Sequence, residues 1–152
     1  MAKIEKVDKL AESEQQLVSD WWQENSVSLY GEEVVATAKS KDQYEQNFVF
    51  KAVEDGQLVG ISSGKCSLGL GYIHELVINE KWRGKGIGSV LLAKAEEFCR
   101  ERGARRLALR TDSNGAAVDF YCRRGWTIEH ESKDWFGGHT FLQMRKDLDL
   151  DL

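Results

Sequence analysis

The chain lacks any long apolar run. No segment approaches the roughly 20 consecutive apolar residues that a membrane-spanning helix needs. The first five residues, Met1–Glu5, carry no signal-peptide apolar region either. We therefore expect a cytoplasmic protein with no membrane partner.

Cysteine and histidine are also scarce. The three cysteines, Cys66, Cys99 and Cys122, form no Cys-x-x-Cys pair, which is typical of reduced thiols rather than of a disulfide framework. The three histidines are equally scattered and show no metal-ligand spacing. We predict no metal site.

Neither sign of charge dominates, since 21 Lys and Arg stand against 25 Asp and Glu and give a net charge of −4. The basic residues form no long block, which argues against a nucleic-acid partner. A length of 152 residues is near the usual size of one domain, and 41% apolar content can supply a core. We predict a single domain over residues 1–152.

The first third of the chain is the hardest to interpret. A strand is predicted over Ile4–Val7 and a helix over residues 13–25, where Ser13 and Gln16 form a capping box. Helical spacing predicts a core face made of Leu17, Val18, Trp21 and Trp22, with contact of Trp21 or Trp22 to a substrate as the alternative. The segment 34–38 indicates a short strand within a variable loop.

Two hairpins are predicted next. Asp55-Gly56 joins a strand over Phe48–Val53 to a second one from Leu58. A turn at residues 68–71, where turn chemistry explains Gly69 and Gly71, leads into a strand over Tyr72–Ile78.

Helical spacing predicts a helix from Ile87 to Cys99 that ends near Gly103, followed by a parallel strand at residues 105–111. Asp112, Ser113 or Asn114 is expected to cap the next helix, which turns Ala117, Val118 and Tyr121 to one face. Strands at residues 126–131 and 140–145, joined through Gly137-Gly138, close the sheet. Trp135 and Phe136, before that turn, are either a partner surface or part of the core.

The glycine-rich stretch from Arg83 to Gly88 predicts a phosphate-binding loop between a strand and a helix. Glycine accepts positive φ and lets backbone N–H groups approach an anion, which the helix N-terminus also favours. A Walker A loop is excluded because Lys85 lies inside the glycine cluster. The glycine spacing also disfavours a Rossmann fingerprint.

The pattern that fits is Arg83-x-x-Gly86-x-Gly88, and the chain resembles the GNAT superfamily of acyl-CoA-dependent N-acetyltransferases. Further elements follow in the family's order, namely the strand before the loop, Asn114, Phe120-Tyr121 and Arg124-Gly125-Trp126. The resemblance implies an α/β (α+β) fold, with a mixed, mostly antiparallel central sheet, one parallel central strand pair and helices on both faces. Family members often carry proline before the loop, whereas this chain has no proline.

The resemblance also implies acetyl-CoA (coenzyme A) as cofactor. Its diphosphate would lie on the loop, and backbone N–H groups where the preceding strand splays would bind the thioester carbonyl and the pantetheine arm. The cofactor-binding residues that it implies are Leu76, Val77, Ile78, Arg83, Gly84, Lys85, Gly86, Ile87, Gly88, Ser89, Asn114 and Tyr121.

Acetyl transfer to an amine needs a base, since an alkylammonium with a pKa near 10.4 is about one part in a thousand unprotonated at neutral pH. His74 and Glu75 are the candidates, and strand alternation predicts that they point to opposite faces. Tyr121 matches the family's general-acid tyrosine, and a phenol is a suitable proton donor to a thiolate.

We therefore expect direct transfer of an acetyl group from acetyl-CoA to a primary amine, carried by a small molecule or a peptide, in a ternary complex. Two alternatives stay open. The first is a non-catalytic module that binds or senses acyl-CoA. The second is an acetyltransferase that acts on protein N-termini or lysines. A homodimer is a further expectation.

Overall fold

A computed structural model describes residues 1–39 and 45–148 of the chain, without the side chains of residues 37–39. The chain forms two compact units, Met1–Lys41 and Asp42–Leu152, and each is described by itself. The single domain expected over 1–152 stays a prediction. None of the helices within the described ranges is long and apolar enough to cross a membrane.

The first unit consists of two helices, α1 (Glu12–Tyr30) and α2 (Glu32–Lys39). Gly31 separates them at a φ of 86°, and its N–H donates to the carbonyl oxygen of Val27 over 2.9 Å. The strand predicted at residues 34–38 is wrong, because the segment is helical. Glu32 and Glu33 occupy the first turn of α2, where carboxylates complement the positive end of the helix dipole.

Three further predictions for the first unit are corrected. Residues 4–7 form no strand, since the described residues provide no partner strand for them. The N-terminus of α1 is stabilised by Glu14, whose carboxylate accepts from the Ala11 N–H over 2.9 Å, rather than by Ser13. Trp21 and Trp22 are 57% and 70% exposed, so the predicted core face of α1 is not buried.

The second unit contains a six-stranded sheet in the order β1-β2-β3-β4-β6-β5. β3 and β4 are parallel, and the other neighbours are antiparallel. This confirms the predicted mixed sheet with a central parallel pair. The strands are β1 (Gln46–Glu54), β2 (Gln57–Ser67), β3 (Leu70–Ile78), β4 (Arg106–Asp112), β5 (Thr127–Phe136) and β6 (His139–Asp147).

The predicted turns are confirmed by their backbone angles. Asp55 and Gly56 have φ of 50° and 76°, and Gly137 and Gly138 have φ of 56° and 77°. Positive φ at both central residues is the geometry that matches the twist of a two-residue hairpin.

Helices α3 (Ile87–Glu101) and α4 (Ala117–Cys122) pack on one face of the sheet and bury the core against it. Gly71 is part of this packing and not of a turn, which corrects the sequence prediction. A Cβ at this position would lie 2.5 Å from the Leu107 Cδ2 atom and 2.7 Å from the Cys99 Sγ atom. Only a residue without a side chain allows this approach of strand to helix.

Candidate functional site

A gap opens between β3 and β4 beside the glycine loop. The parallel ladder has three residue pairs, from Leu70 with Arg106 to Tyr72 with Ala108. Beyond it, β3 continues to Ile78 paired with β2, while β4 continues to Asp112 paired with β6. Backbone groups that face this β3–β4 gap are therefore left without a ladder partner across it, as the predicted splaying of the strand requires.

A β-bulge lies at the start of the gap. Ile73 pairs with Gly64 and Glu75 pairs with Ser63, so His74 is an additional residue on β3. The bulge inverts the alternation of side chains along the strand. Before it Ile73 faces the core, and after it Leu76 does.

The prediction that His74 and Glu75 point to opposite faces is therefore wrong. Both lie on the face of the sheet away from α3, which we call the second face. Both are exposed, and the His74 ring lies 4.8 Å from the Tyr72 ring between centroids. Two proton-accepting groups thus lie together on the β3 side of the gap.

The predicted phosphate loop joins β3 to α3. A short 3-10 turn at Glu80–Trp82 leads into it, and the Arg83 Nε donates to the carbonyl oxygen of Ile78 over 3.1 Å. Gly84 and Gly86 have φ of 75° and 82°. A Cβ at either position would meet no protein atom within 4 Å, so the space above both glycines is open to a ligand.

Positive charge surrounds the loop. The Lys85 ammonium lies 4.6 Å from the centre of the Trp82 ring. A pocket of about 490 Å³ borders the loop on the β1 side and is lined by Lys51, Lys85 and Lys94 among other residues. With the N-terminus of α3, these groups produce a potential that favours an anion.

The start of α3 is tied to the end of α4 by Arg124, which the sequence analysis did not identify as part of the site. Its Nε donates to the Ser89 hydroxyl over 3.1 Å, its Nη1 donates to the Phe120 carbonyl oxygen over 2.8 Å, and its Nη2 also donates to Ser89. The guanidinium stacks 3.7 Å from the Phe120 ring centre. Arg124 thereby fixes Ser89 and adds a charge near the loop.

Tyr121 lies on the core-facing side of α4, as its spacing predicts. Its ring packs 5.3 Å from Phe120 and 5.7 Å from Trp126 between centroids. The ring is 7% exposed, and burial raises the pKa of the Tyr121 phenol above its ordinary value. The hydroxyl therefore stays protonated at neutral pH.

The turn after β4 differs from its prediction. Helix α4 begins after Ala116 with no side-chain cap, so the expected cap by Asp112, Ser113 or Asn114 is wrong. The Asp112 carboxylate is engaged earlier, because its Oδ1 accepts from the Asn114 N–H over 2.9 Å. Its Oδ2 lies 2.7 Å from the Nδ1 of His139, a pairing of side chains far apart in the sequence.

The hairpin of β5 and β6 presents its aromatic residues to the outside. Trp135 and Phe136 are exposed, so their predicted alternative of burial in the core is wrong, and the partner surface stays a prediction. All three cysteines are free, and Cys66 and Cys99 are buried. Within residues 1–39 and 45–148, no group of three His, Cys, Asp or Glu side chains is arranged to hold a metal ion.

Comparison with curated proteins gives two informative relatives. The chain is 38% identical over 64 residues to the uncharacterized N-acetyltransferase MJ1207 of Methanocaldococcus jannaschii, covering 41% of this chain and 28% of that protein. It is 38% identical over 86 residues to the aminoalkylphosphonate N-acetyltransferase of Salmonella typhimurium, covering 52% of this chain and 56% of that one. The chain thus spans about a quarter to a half of the length of these relatives.

Solved structures share the fold. An acetyltransferase from Bacillus cereus superposes with a TM-score of 0.72 at 22% identity, covering 95% of this chain and 98% of that one. A streptothricin acetyltransferase from Bacillus anthracis, solved in complex with acetyl coenzyme A, superposes with a TM-score of 0.63 at 22% identity, covering 68% and 63% of the two chains.

The model of the acetyltransferase (GNAT) family matches residues 11–126, which include β3 with its bulge, the glycine loop, α3 and α4 with Tyr121. That match spans well over half of the chain. The chain therefore belongs to the GNAT family of acetyltransferases.

Proposed function

We propose that the protein transfers the acetyl group of acetyl-CoA directly to a primary amine in a ternary complex. The observation that carries the proposal is the β3–β4 gap, whose unpaired backbone groups lie directly before an open, positively charged glycine loop. A diphosphate and an extended pantetheine arm need this combination of an anion cradle and a free strand edge.

The cofactor would be held mainly by backbone. The N–H groups of residues 84–89 would face the space above Gly84 and Gly86, whereas the Arg83 N–H donates to the Glu80 carbonyl oxygen. The side chains of Arg83 and Lys85 would add positive charge. The Asn79 N–H donates to Val59 of β2, so by alternation the Val77 N–H also points to β2 and the N–H groups of Leu76 and Ile78 point to the gap. These two would bind the pantetheine arm and the thioester oxygen. Donors fixed in advance at a developing oxyanion contribute several kcal/mol to catalysis. Asn114, exposed beyond β4, would also contact the cofactor.

The acceptor amine would approach from the second face of the sheet, because α3 and α4 close the other one. His74 and Glu75 lie on that face and are the base candidates on β3. Tyr121 would donate its proton to the departing thiolate, a role that fits its raised pKa. No covalent enzyme intermediate is needed, since the gap holds both reactants together.

A small-molecule amine is the acceptor that we favour. The relative from Salmonella typhimurium, 38% identical over 86 residues, is named for aminoalkylphosphonates, which are small-molecule amines. Transfer to a peptide amine and non-catalytic sensing of acyl-CoA are the competing proposals. Three free cysteines suit a reducing compartment, which supports a cytoplasmic location. The exposed Trp135 and Phe136 support a homodimer contact.

The test is a panel of polyamines, aminoalkylphosphonates, amino sugars, lysine-containing peptides and N-terminal peptides, each incubated with acetyl-CoA and read by released thiol. We expect thiol release with at least one small amine and acetylated product of matching mass. Release with peptides alone would favour the peptide acetyltransferase. Binding of acetyl-CoA without release for any amine would favour the sensing module and contradict the enzyme.

A further inference from the structure

Asp112 ends β4, the strand that borders the β3–β4 gap, and it pairs with His139 at the start of β6, the next strand of the sheet. The His139 Nδ1 lies 2.7 Å from the Asp112 Oδ2. The other carboxylate oxygen, Oδ1, accepts from the Asn114 N–H over 2.9 Å. Both oxygens of Asp112 are therefore engaged. The negative charge of this carboxylate orients the imidazole of His139 and stabilises it when it is protonated.

The sheet places this pair on the second face. On β4, Leu107 and Leu109 are buried in the core, so Arg110 and Asp112, which alternate with them, lie on the second face. In the ladder with β6, Arg110 is opposite Gln143 and Asp112 is opposite Phe141. His139 is two residues from Phe141 on β6 and four from Gln143, so its side chain lies on the same face as theirs. The Ser113 N–H donates to the Thr140 carbonyl oxygen over 2.9 Å, which fixes the start of β6 against the end of β4.

We propose that His139, oriented by Asp112, accepts the proton of the acceptor ammonium group. This inference rests on the proposed acetyl transfer. An Nδ1–H that donates to a carboxylate leaves the lone pair on Nε2, the tautomer and orientation that a general base requires. His74 and Glu75, on the opposite side of the gap, then surround the acceptor rather than deprotonate it.

The proton balance closes with groups already described. The Nε2 of His139 takes a proton from R–NH3⁺, and the amine lone pair forms the N–C bond at the thioester carbonyl. The C–S bond then breaks, and the thiolate takes the proton of the Tyr121 hydroxyl. The amide nitrogen returns its excess proton to the Tyr121 phenolate, and the imidazolium releases its proton to water. The products are the acetamide, CoA thiol and one proton.

The charged surroundings support this assignment. The hydrogen bond from the Asn114 N–H is the main cause that lowers the pKa of Asp112 below its ordinary value, and the His139 imidazole lowers it further. The carboxylate therefore stays ionised in the proposed step. Charged and titratable groups on the second face include Arg106, Arg110 and Asp112 on β4, Arg145 and Asp147 on β6, Glu129 and His130 on β5, and His74 and Glu75 on β3.

The experiment compares His139→Gln and Asp112→Asn with the wild type, using the fastest amine of the thiol-release panel. His130→Gln, on the edge strand β5, is the matched control. At pH 7 we expect His139→Gln to lower kcat/KM at least about tenfold, Asp112→Asn to lower it by a smaller factor, and the control to stay within about twofold. Affinity for CoA, measured by calorimetry, should not change in any variant.

The distinguishing readout is the pH profile. Without the base, turnover depends on amine that is already unprotonated in solution, so the deficit of His139→Gln should shrink steadily between pH 7 and pH 9.5. A deficit that is equal at every pH, or activity within twofold of wild type at pH 7, overturns the proposal. If the wild type releases no thiol with any amine, the proposed function itself fails and this inference fails with it.

Discussion

The Ser62 hydroxyl donates a hydrogen bond of 3.1 Å to the carbonyl oxygen of Leu91, across the interface between β2 and α3. Ser62 is fully buried, so this bond crosses the apolar layer that holds α3 on the sheet. Because α3 begins at the glycine loop, its position on the sheet also fixes where the loop meets the end of β3.

Replacing Ser62 with alanine removes this bond and should lower the free energy of unfolding by about 1 kcal/mol, the usual contribution of one buried hydrogen bond. Urea denaturation measures the loss. Ser63→Ala is the matched control, because Ser63 is the next residue on β2 and points to the second face. Equal stability of the Ser62 variant and the wild type would show that the bond contributes nothing to the packing of α3.

Gly86→Ala should weaken CoA binding at least about tenfold, since a methyl group would occupy the space above the loop and the residue has a φ of 82°. Gly103→Ala is a close control, because Gly103 follows the other end of α3, has a φ of 78° and also faces open space. Calorimetric titration with CoA compares the two. A similar loss of affinity in both variants would mean that backbone strain alone, and not the loop, causes the effect.

Tyr121→Phe should lower kcat at least about tenfold and leave CoA affinity nearly unchanged, because it removes the proton donor while keeping the buried ring. Burial raises the pKa of this phenol, so the wild-type donor stays protonated at every pH up to its ordinary value of about 10. Steady-state kinetics with the best panel amine measures the effect, with Tyr30→Phe on α1 as control. Unchanged turnover would remove Tyr121 from the mechanism.

Glu129→Gln should destabilise the fold at neutral pH but not in acid. The Gln143 amide, at 2.9 Å, and the Arg145 guanidinium, at 3.1 Å, lower the pKa of Glu129 in the folded protein. A lowered folded-state pKa stabilises the fold above the ordinary carboxyl pKa, and this contribution disappears as the pH falls through the folded value. Urea midpoints for variant and wild type should therefore differ at pH 7 and converge toward pH 3. A difference independent of pH would refute this electrostatic origin.

The second unit follows from local features of the sequence. Asp55-Gly56 and Gly137-Gly138 fix their hairpins because these residues accept the positive φ that both positions of a type I′ turn need. The glycine loop is predictable for a related reason, since Gly84 and Gly86 take the backbone angles that an anion cradle needs. These are short-range constraints, which a single sequence records.

The sequence predictions are wrong where contacts between residues far apart in the sequence determine the structure. The bulge at His74 depends on how β3 pairs with β2, and no alternation rule reveals it. Gly71 is required by Leu107 and Cys99, both remote in the sequence. The pairing of Asp112 with His139 arises only when β6 lies beside β4. In the first unit, α2 forms although its valines and threonine favour strands, and Glu32 and Glu33 lie in its first turn, where they complement the helix dipole.

The central claim is that the glycine loop and the β3–β4 gap together bind acetyl-CoA, and a crystal structure of the protein grown with CoA tests it most directly. The account predicts the diphosphate against the backbone N–H groups of residues 84–88 and the pantetheine arm along Leu76–Ile78. A CoA molecule ordered elsewhere on the protein, or no CoA at saturating concentration, would contradict it.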